Sequence, residues 1–277
     1  MKQVIASALL ILCLTQTIYS ACGPQLFTGT LTATNYQGLM DHHNTKRNDV
    51  ANGKESANGT PLPKASDMTV LVWNAELAKL AQGWADKLVS NCKGIGHNPT
   101  RTGTSFSYLG ENVYWSASTD DPGTPTAAMT KSSSNWYSEI ADFPVSLQAK
   151  FASTSGPAIG HFTQQIWAAT TDIGCGYAHY ADGNWTHAQY VVCNYGVGGN
   201  MIGSPIYNSG TPCSKCATGF SCSPTYNGLC SKGGAATTTT STPTPAPVTA
   251  NSDLIKFAYM LVATILVICL NKVKKLI

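Results

Sequence analysis

Apolar and polar positions alternate at helical spacing over three stretches of this chain. Between Asn35 and Val50, Leu39, Met40, His43, Arg47 and Val50 recur at steps of three and four, and Asn52-Gly53 closes the pattern. A loop rich in Gly, Pro and Lys follows, to Asp67. From Asn74, a capping residue, Leu77, Leu80, Ala81, Trp84 and Leu88 form an apolar stripe that ends near Cys92. A third helix is predicted from Thr124-Pro125, a cap with proline in the first turn, through Met129, Trp136 and Ile140 to just before Pro144. Ile173 to Ala181 and Thr186 to Tyr195 then read as two strands, with Asp182-Gly183 between them as a hairpin turn. The pattern predicts an α+β fold, helices packed on a small antiparallel sheet. Between the third helix and the hairpin lies GHFTQQIW, Gly160 to Trp167. Gly160 lets the backbone approach other elements closely. Phe162, Ile166 and Trp167 are large enough to bury the segment, with His161 at the edge of that core, on the floor of a cleft.

The two ends of the chain change the picture. Lys2, the apolar run Ile5 to Leu14 and Ile18-Tyr19-Ser20 read as a secretory signal over residues 1–20. Residues 21–200 form the main domain, 201–232 a cysteine-rich hinge, and 233–252 a Thr/Pro-rich stalk with no capacity for a core. Residues 253–277 read as a hydrophobic anchor, apolar from Leu254 to Leu270 except for Lys256. A single transmembrane helix with a basic cytoplasmic end competes with a GPI signal near Ala250-Asn251-Ser252. The short polar spacer and the basic end favour the helix. Export predicts an extracellular, cell-surface protein.

Of the ten cysteines, Cys13 lies in the signal and Cys269 in the anchor, which leaves eight: Cys22, Cys92, Cys175, Cys193, Cys213, Cys216, Cys222 and Cys230. In an exported chain an even set reads as disulfides. The hairpin brings Cys175 and Cys193 near each other. Cys213 and Cys216 also have zinc spacing, but export favours bridges. Asn58-Gly59-Thr60 and Asn184-Trp185-Thr186 are glycosylation sequons. The formal charge of +3 misleads, because Lys2, Lys256, Lys272, Lys274 and Lys275 lie outside 21–250. Twelve basic and thirteen acidic residues remain inside it, with no patch suited to nucleic acid.

His161 needs partners to form a site. Glu111 stands just before the apolar Val113-Tyr114-Trp115, Glu139 follows Trp136 on one helix face, and His97 follows Cys92 in a Gly-rich turn. Two imidazoles and two carboxylates in one cleft can hold zinc or copper, or do acid–base work. Taken singly, each residue is better read as satisfying a buried hydrogen bond.

Four motifs carry a resemblance. GHFTQQIW, the run Tyr190-Val191-Val192-Cys193-Asn194-Tyr195-Gly196 onward to Asn200, His43-Asn44-Thr45-Lys46-Arg47, and Gly110-Glu111-Asn112 resemble the signatures of the CAP superfamily, in the right order, over roughly Thr34 to Cys230. The hinge resembles that of nematode venom-allergen-like members. The resemblance implies a three-layer α-β-α sandwich with a small disulfide-rich hinge. It implies a cleft tetrad of His97, Glu111, Glu139 and His161, with the two histidines as ligands to a divalent metal, usually zinc, that the fold does not require. It makes His43, Asn44, Arg47, Asn112, Gly160 and Trp167 structural. His42, His179 and His187 match no functional position and read as surface or strand residues. It also implies Cys175–Cys193, Cys213–Cys222 and Cys216–Cys230. The chain departs from the pattern at Cys92, whose usual partner position is near Tyr180, and Cys22–Cys92 is the pair left over.

The family is mostly non-enzymatic, and Ser105 and Ser107 lie in a loop without a nucleophile motif. The expectation is a secreted or surface-tethered binding protein with a divalent-metal cleft. Its partner would be a protein or lipid, and the tail would engage a membrane. A sterol or lipid carrier is the first alternative, and a Glu/His-dependent hydrolase the second.

Overall fold

The structure, a computed structural model, describes residues 23–91, 94–183 and 185–232. The proposed signal, Cys22, Cys92, Asn184, the stalk and the anchor lie outside these residues. Among the described residues no helix is long and apolar enough to cross a membrane.

Helix α1, Ala33–Ala51, begins two residues before the predicted start because Thr32 caps it, its backbone N–H donating to Asn35 Oδ1 at 2.8 Å. It ends at Asn52, and Gly53 at φ 71° turns the chain away. Helix α2, Ala75–Asn91, is capped as expected: Asn74 Oδ1 accepts from the N–H groups of Glu76 and Leu77. Helix α3, Pro125–Tyr137, starts at Thr124, whose Oγ1 accepts from Ala127 N–H. It stops earlier than predicted. Residues Ser138–Asp142 tighten into a 3-10 turn and Phe143 is extended, as a residue before proline must be. Glu139 therefore lies beyond the α-helix that carries Trp136.

The main sheet has the order β3-β5-β6-β4, from Val72–Trp73 (β3), Leu109–Ser118 (β4), Asp172–Asp182 (β5) and Trp185–Gly196 (β6). The predicted hairpin is β5–β6, with Cys175 opposite Cys193. Two strands join the predicted hairpin, and one of them departs from the antiparallel prediction. Strand β3 pairs parallel to β5, so the sheet is mixed. Strand β4 adds ten antiparallel rungs to β6. A smaller hairpin, Ser56–Ala57 (β1) with Thr60–Pro61 (β2), turns at Asn58-Gly59, both at positive φ, which leaves Asn58 exposed at the tip.

Alternation along the strands sends side chains to two cores. On one face Leu39 and Met40 of α1 and Met129 and Trp136 of α3 pack on Tyr114, Tyr177, Val191 and Tyr195. On the other, Ala81, Ala85 and Leu88 of α2 pack on Val113, Ala178, Tyr190 and Val192. The result is an α-β-α sandwich. Helix α2 lies so close to β5 that a Cβ on Gly174 would collide with the backbone of Ala78.

A third core gathers Val50, Phe143, Phe162, Trp167, Tyr207 and Leu229 beneath the segment Gly160 to Trp167. The hinge joins it, because Leu229 is fully buried there and Cys230 exchanges backbone hydrogen bonds with Met68 and Val70. Cys175–Cys193, Cys213–Cys222 and Cys216–Cys230 are bridged as the resemblance implied. Hinge strands Phe220–Cys222 (β7) and Cys230–Lys232 (β8) pair beside those bridges.

Candidate functional site: two carboxylate–imidazole pairs astride the edge strand

Strand β4 is an edge strand, and its consecutive residues Glu111 and Asn112 face opposite sides of the sheet. Glu111 faces the α2 side. Its side chain is 0% exposed, yet its carboxylate is well supplied with donors. Oε1 accepts from Asn98 N–H at 2.8 Å and meets His97 Nδ1 at 2.9 Å, with Arg101 Nη1 at 3.6 Å. With the Asn194 amide oriented nitrogen toward the carboxylate, Nδ2 donates to Oε2 at 3.3 Å. His97 itself is 57% exposed. A buried acid thus anchors an imidazole that reaches into solvent.

The second pair lies on the other side. The stretch Gly160–Gln165 folds as a short helix, α4, whose first N–H groups have no partner within it. Glu139 supplies one from the preceding 3-10 turn. Its Oε2 accepts from the N–H groups of His161 (2.9 Å) and Phe162 (3.0 Å), and its Oε1 meets His161 Nδ1 at 2.6 Å. Although Trp136 and Glu139 do not share one α-helix, both meet this histidine, the Trp136 ring lying 6.0 Å from it. Phe162 and Ile166 are fully buried, as expected. Gly160 differs from its prediction: a Cβ there would meet only Asn200 Nδ2 at 3.6 Å, an ordinary contact. The close approach is needed at Gly110 instead, where a Cβ would strike the Gln164 side chain.

Asn112 joins the two pairs. Its Nδ2 donates to the His161 carbonyl at 3.2 Å and to Tyr195 Oη at 3.1 Å. Tyr195 Oη in turn meets His43 Nε2 at 3.0 Å, while His43 Nδ1 lies 2.8 Å from Leu39 O. Nδ1–H therefore donates to the carbonyl and Nε2 accepts from the phenol. Complete burial pushes the His43 pKa down to about 3, so the ring is neutral. Arg47, also fully buried, donates to the carbonyls of Thr69, Gln165, Trp167, Ala168 and Thr170. Burial draws its pKa down to about 9. Asn44 exchanges two hydrogen bonds with the backbone of Leu71, as a neighbouring strand would. The residues of the first-helix motif are structural ties between α1 and the segments that carry the site.

The arrangement determines what the histidines can do. Each Nδ1 faces a carboxylate, so in the neutral ring the proton sits on Nδ1 and Nε2 carries the lone pair. That is the donor set a zinc-like ion uses. The tetrad consists of two such pairs, not a closed cage. Among the described residues, the trio of ligand atoms found within 4.8 Å of one another is Cys213, Cys216 and Cys230, whose sulfurs are disulfide-bonded. Ser105 donates its hydroxyl to Glu76, at 3.1 Å. Sequence reasoning missed Asn98, Arg101 and Asn194 as supports of Glu111. The signal was Asn194 itself, a fully buried amide within an apolar strand.

Residues 40–195 match the family model described as the cysteine-rich secretory protein, or CAP, family. The chain belongs to this family. Scoloptoxin SSD976 of Scolopendra dehaani is 37% identical over 83% of this chain and all of its own length. Venom allergen 5.02 of Dolichovespula maculata is 39% identical over 61% of this chain and 74% of its own. The solved structure of NaASP2 with Zn2+ superposes with a TM-score of 0.59 at 31% identity, covering 74% of this chain and 99% of that one. The sandwich is thus the CAP fold, and the protein is a venom-allergen-like member of a secretory family.

Proposed function

We propose that this CAP protein is an extracellular binding protein, without chemistry of its own, whose cleft takes a divalent metal at His97 and His161. The observation that carries this reading is the pairing of each Nδ1 with a carboxylate, which leaves both Nε2 atoms as ligands. A structural neighbour solved with Zn2+ supports zinc as the metal. A bound ion would supply a positive centre for an anionic or carbonyl group of a partner. Glu111 and Glu139 orient the rings, and Asn112 ties the second pair to the strand that carries the first. The exposed Asn58 is offered as the glycan site at the tip of the small hairpin. The test is zinc content and zinc affinity of the purified chain against His97→Ala/His161→Ala. Loss of bound zinc in the double variant is expected, and unchanged zinc would remove the metal from the account.

A second reading, lipid or sterol carriage, rests on a separate observation. A cavity of about 780 Å³ lies between α2 and the segment before α1, walled by Phe27, Leu31, Tyr36 and Trp73. Tyr36 and Trp73 stack at 3.6 Å and 3°. Its size and its apolar wall, rimmed by Lys79, Gln82 and Asp86, suit a small amphipathic lipid. Extraction of a lipid by the purified protein, reduced in Tyr36→Ala, is the expected result.

A further inference from the structure

We propose that His179 and His187 form a second transition-metal site, for zinc or copper(II), on the β5–β6 hairpin. The two residues lie on adjacent antiparallel strands, and His179 stands opposite Gln189, two positions beyond His187. Both rings therefore rise from one face of the sheet. His179 Nε2 and His187 Nδ1 are 3.0 Å apart, with the ring centroids 5.2 Å apart. Two neutral imidazoles at that distance share one N–H···N hydrogen bond. A tetrahedral zinc at about 2.0–2.1 Å from each nitrogen separates them by about 3.3–3.4 Å, so once the donor ring carries its proton on its other nitrogen, both facing lone pairs are free and the nitrogens need part by only a few tenths of an ångström.

Three further features suit the site to a cation. Both rings are half-buried, so solvent reaches them while the strands fix their Cβ positions. Desolvation and then the neighbouring His187 lower the His179 pKa, which keeps that ring in its ligating, neutral form. Asp121, in the loop after β4, bears on His179 with the opposite electrostatic sign. Among the described residues no third ligand atom lies within 4.8 Å of both nitrogens, and the remaining positions fall to water and exchangeable ligands.

The site is separate from the tetrad. Glu111 stands opposite Asn194 on the sheet, whereas His187 stands opposite Ser118, seven residues further along β4. At about 3.3 Å per residue that is about 23 Å.

Equilibrium dialysis and calorimetry with Zn2+ and Cu2+ on the full chain test the proposal. In the His97→Ala/His161→Ala background, one equivalent of metal per chain is expected to remain. Either His179→Gln or His187→Gln should weaken it at least tenfold, and Cu2+ electron paramagnetic resonance should show two nitrogen ligands. In the otherwise unaltered chain, His179→Gln/His187→Gln should lower the stoichiometry by one. Circular dichroism checks that each variant folds. Absence of stoichiometric metal in the tetrad-less background, or unchanged stoichiometry in the hairpin double variant, would overturn the second site. The first result is independent of the tetrad, which that double variant has already removed, and the second is read with the tetrad intact.

Discussion

Acidification should expose the strain of holding His43 neutral. The ring is fully buried, its Nδ1–H donates to Leu39 O, and its Nε2 accepts from Tyr195. Ser133 Oγ also lies 2.9 Å from Nδ1, and His42 and Arg47 add positive charge nearby. The native pKa is about 3 against 6.5 for an ordinary histidine. Between these values the unfolded chain binds a proton that the native chain refuses, so stability rises with pH across that window. The contribution is complete above pH 6.5 and is lost as pH falls toward 3. Each full unit is worth about 1.4 kcal/mol, and the unfolded ring is half protonated at pH 6.5, so acidification from pH 6.5 to 4.5 should remove roughly 2 kcal/mol through this residue alone. Urea unfolding followed by tryptophan fluorescence, at several pH values, reads the effect. His43→Gln lowers stability at pH 7 by removing packed hydrogen bonds, but it cannot take up the proton. The gap between parent and variant should therefore narrow by roughly 2 kcal/mol on going to pH 4.5. Carboxylates titrate equally in both chains and cancel. Parallel curves for the two proteins would refute the argument.

Three other outcomes follow from particular contacts. Glu139→Gln keeps the size of the side chain but removes the charge that fixes the His161 proton and caps α4, so zinc affinity in calorimetry should fall about 10- to 100-fold. Gly174→Ala drives a methyl group into the α2 backbone and should cost about 3 kcal/mol, read as a drop in melting temperature; an unchanged transition would mean that α2 is free to move outward. Replacing Cys175 and Cys193 by alanine opens a loop of 18 residues and should cost about 3 kcal/mol in chemical denaturation.

The parts of the fold that could be read directly are those whose signal repeats. Helices α1, α2 and α3 have several positions at helical spacing, and α2 and α3 also have a capping side chain at the start. The β5–β6 hairpin has alternation and a turn dipeptide. Strand β4 was hidden because Gly110, Glu111 and Asn112 are poor strand formers. Each is there for a tertiary reason: Gly110 admits Gln164, Glu111 orients His97, and Asn112 holds His161. Strand β3 offers only two residues, too few for any period, and its parallel pairing depends on where the chain re-enters the sheet. The end of α3 failed for a local reason, since the geometry before Pro144 propagates back into a 3-10 turn.

The site shows the same division more sharply. Within each pair the partners lie 14 and 22 residues apart, so no periodicity could join them, and the resemblance alone did so. The structure supplies a physical reason for the motif. An edge strand sends one residue to each face of the sheet, and an acid or amide at each can hold an imidazole-bearing segment from its own layer. Glu111 does this directly for His97, and Asn112 does it through the His161 backbone. The polar residues that weaken β4 as a strand are therefore the ones that tie two layers of the sandwich to a shared edge. An apolar strand would pair as well with β6, but His97 would then lose the carboxylate that meets its Nδ1, and the His161 carbonyl would lose its amide donor, leaving Glu139 alone to hold that ring.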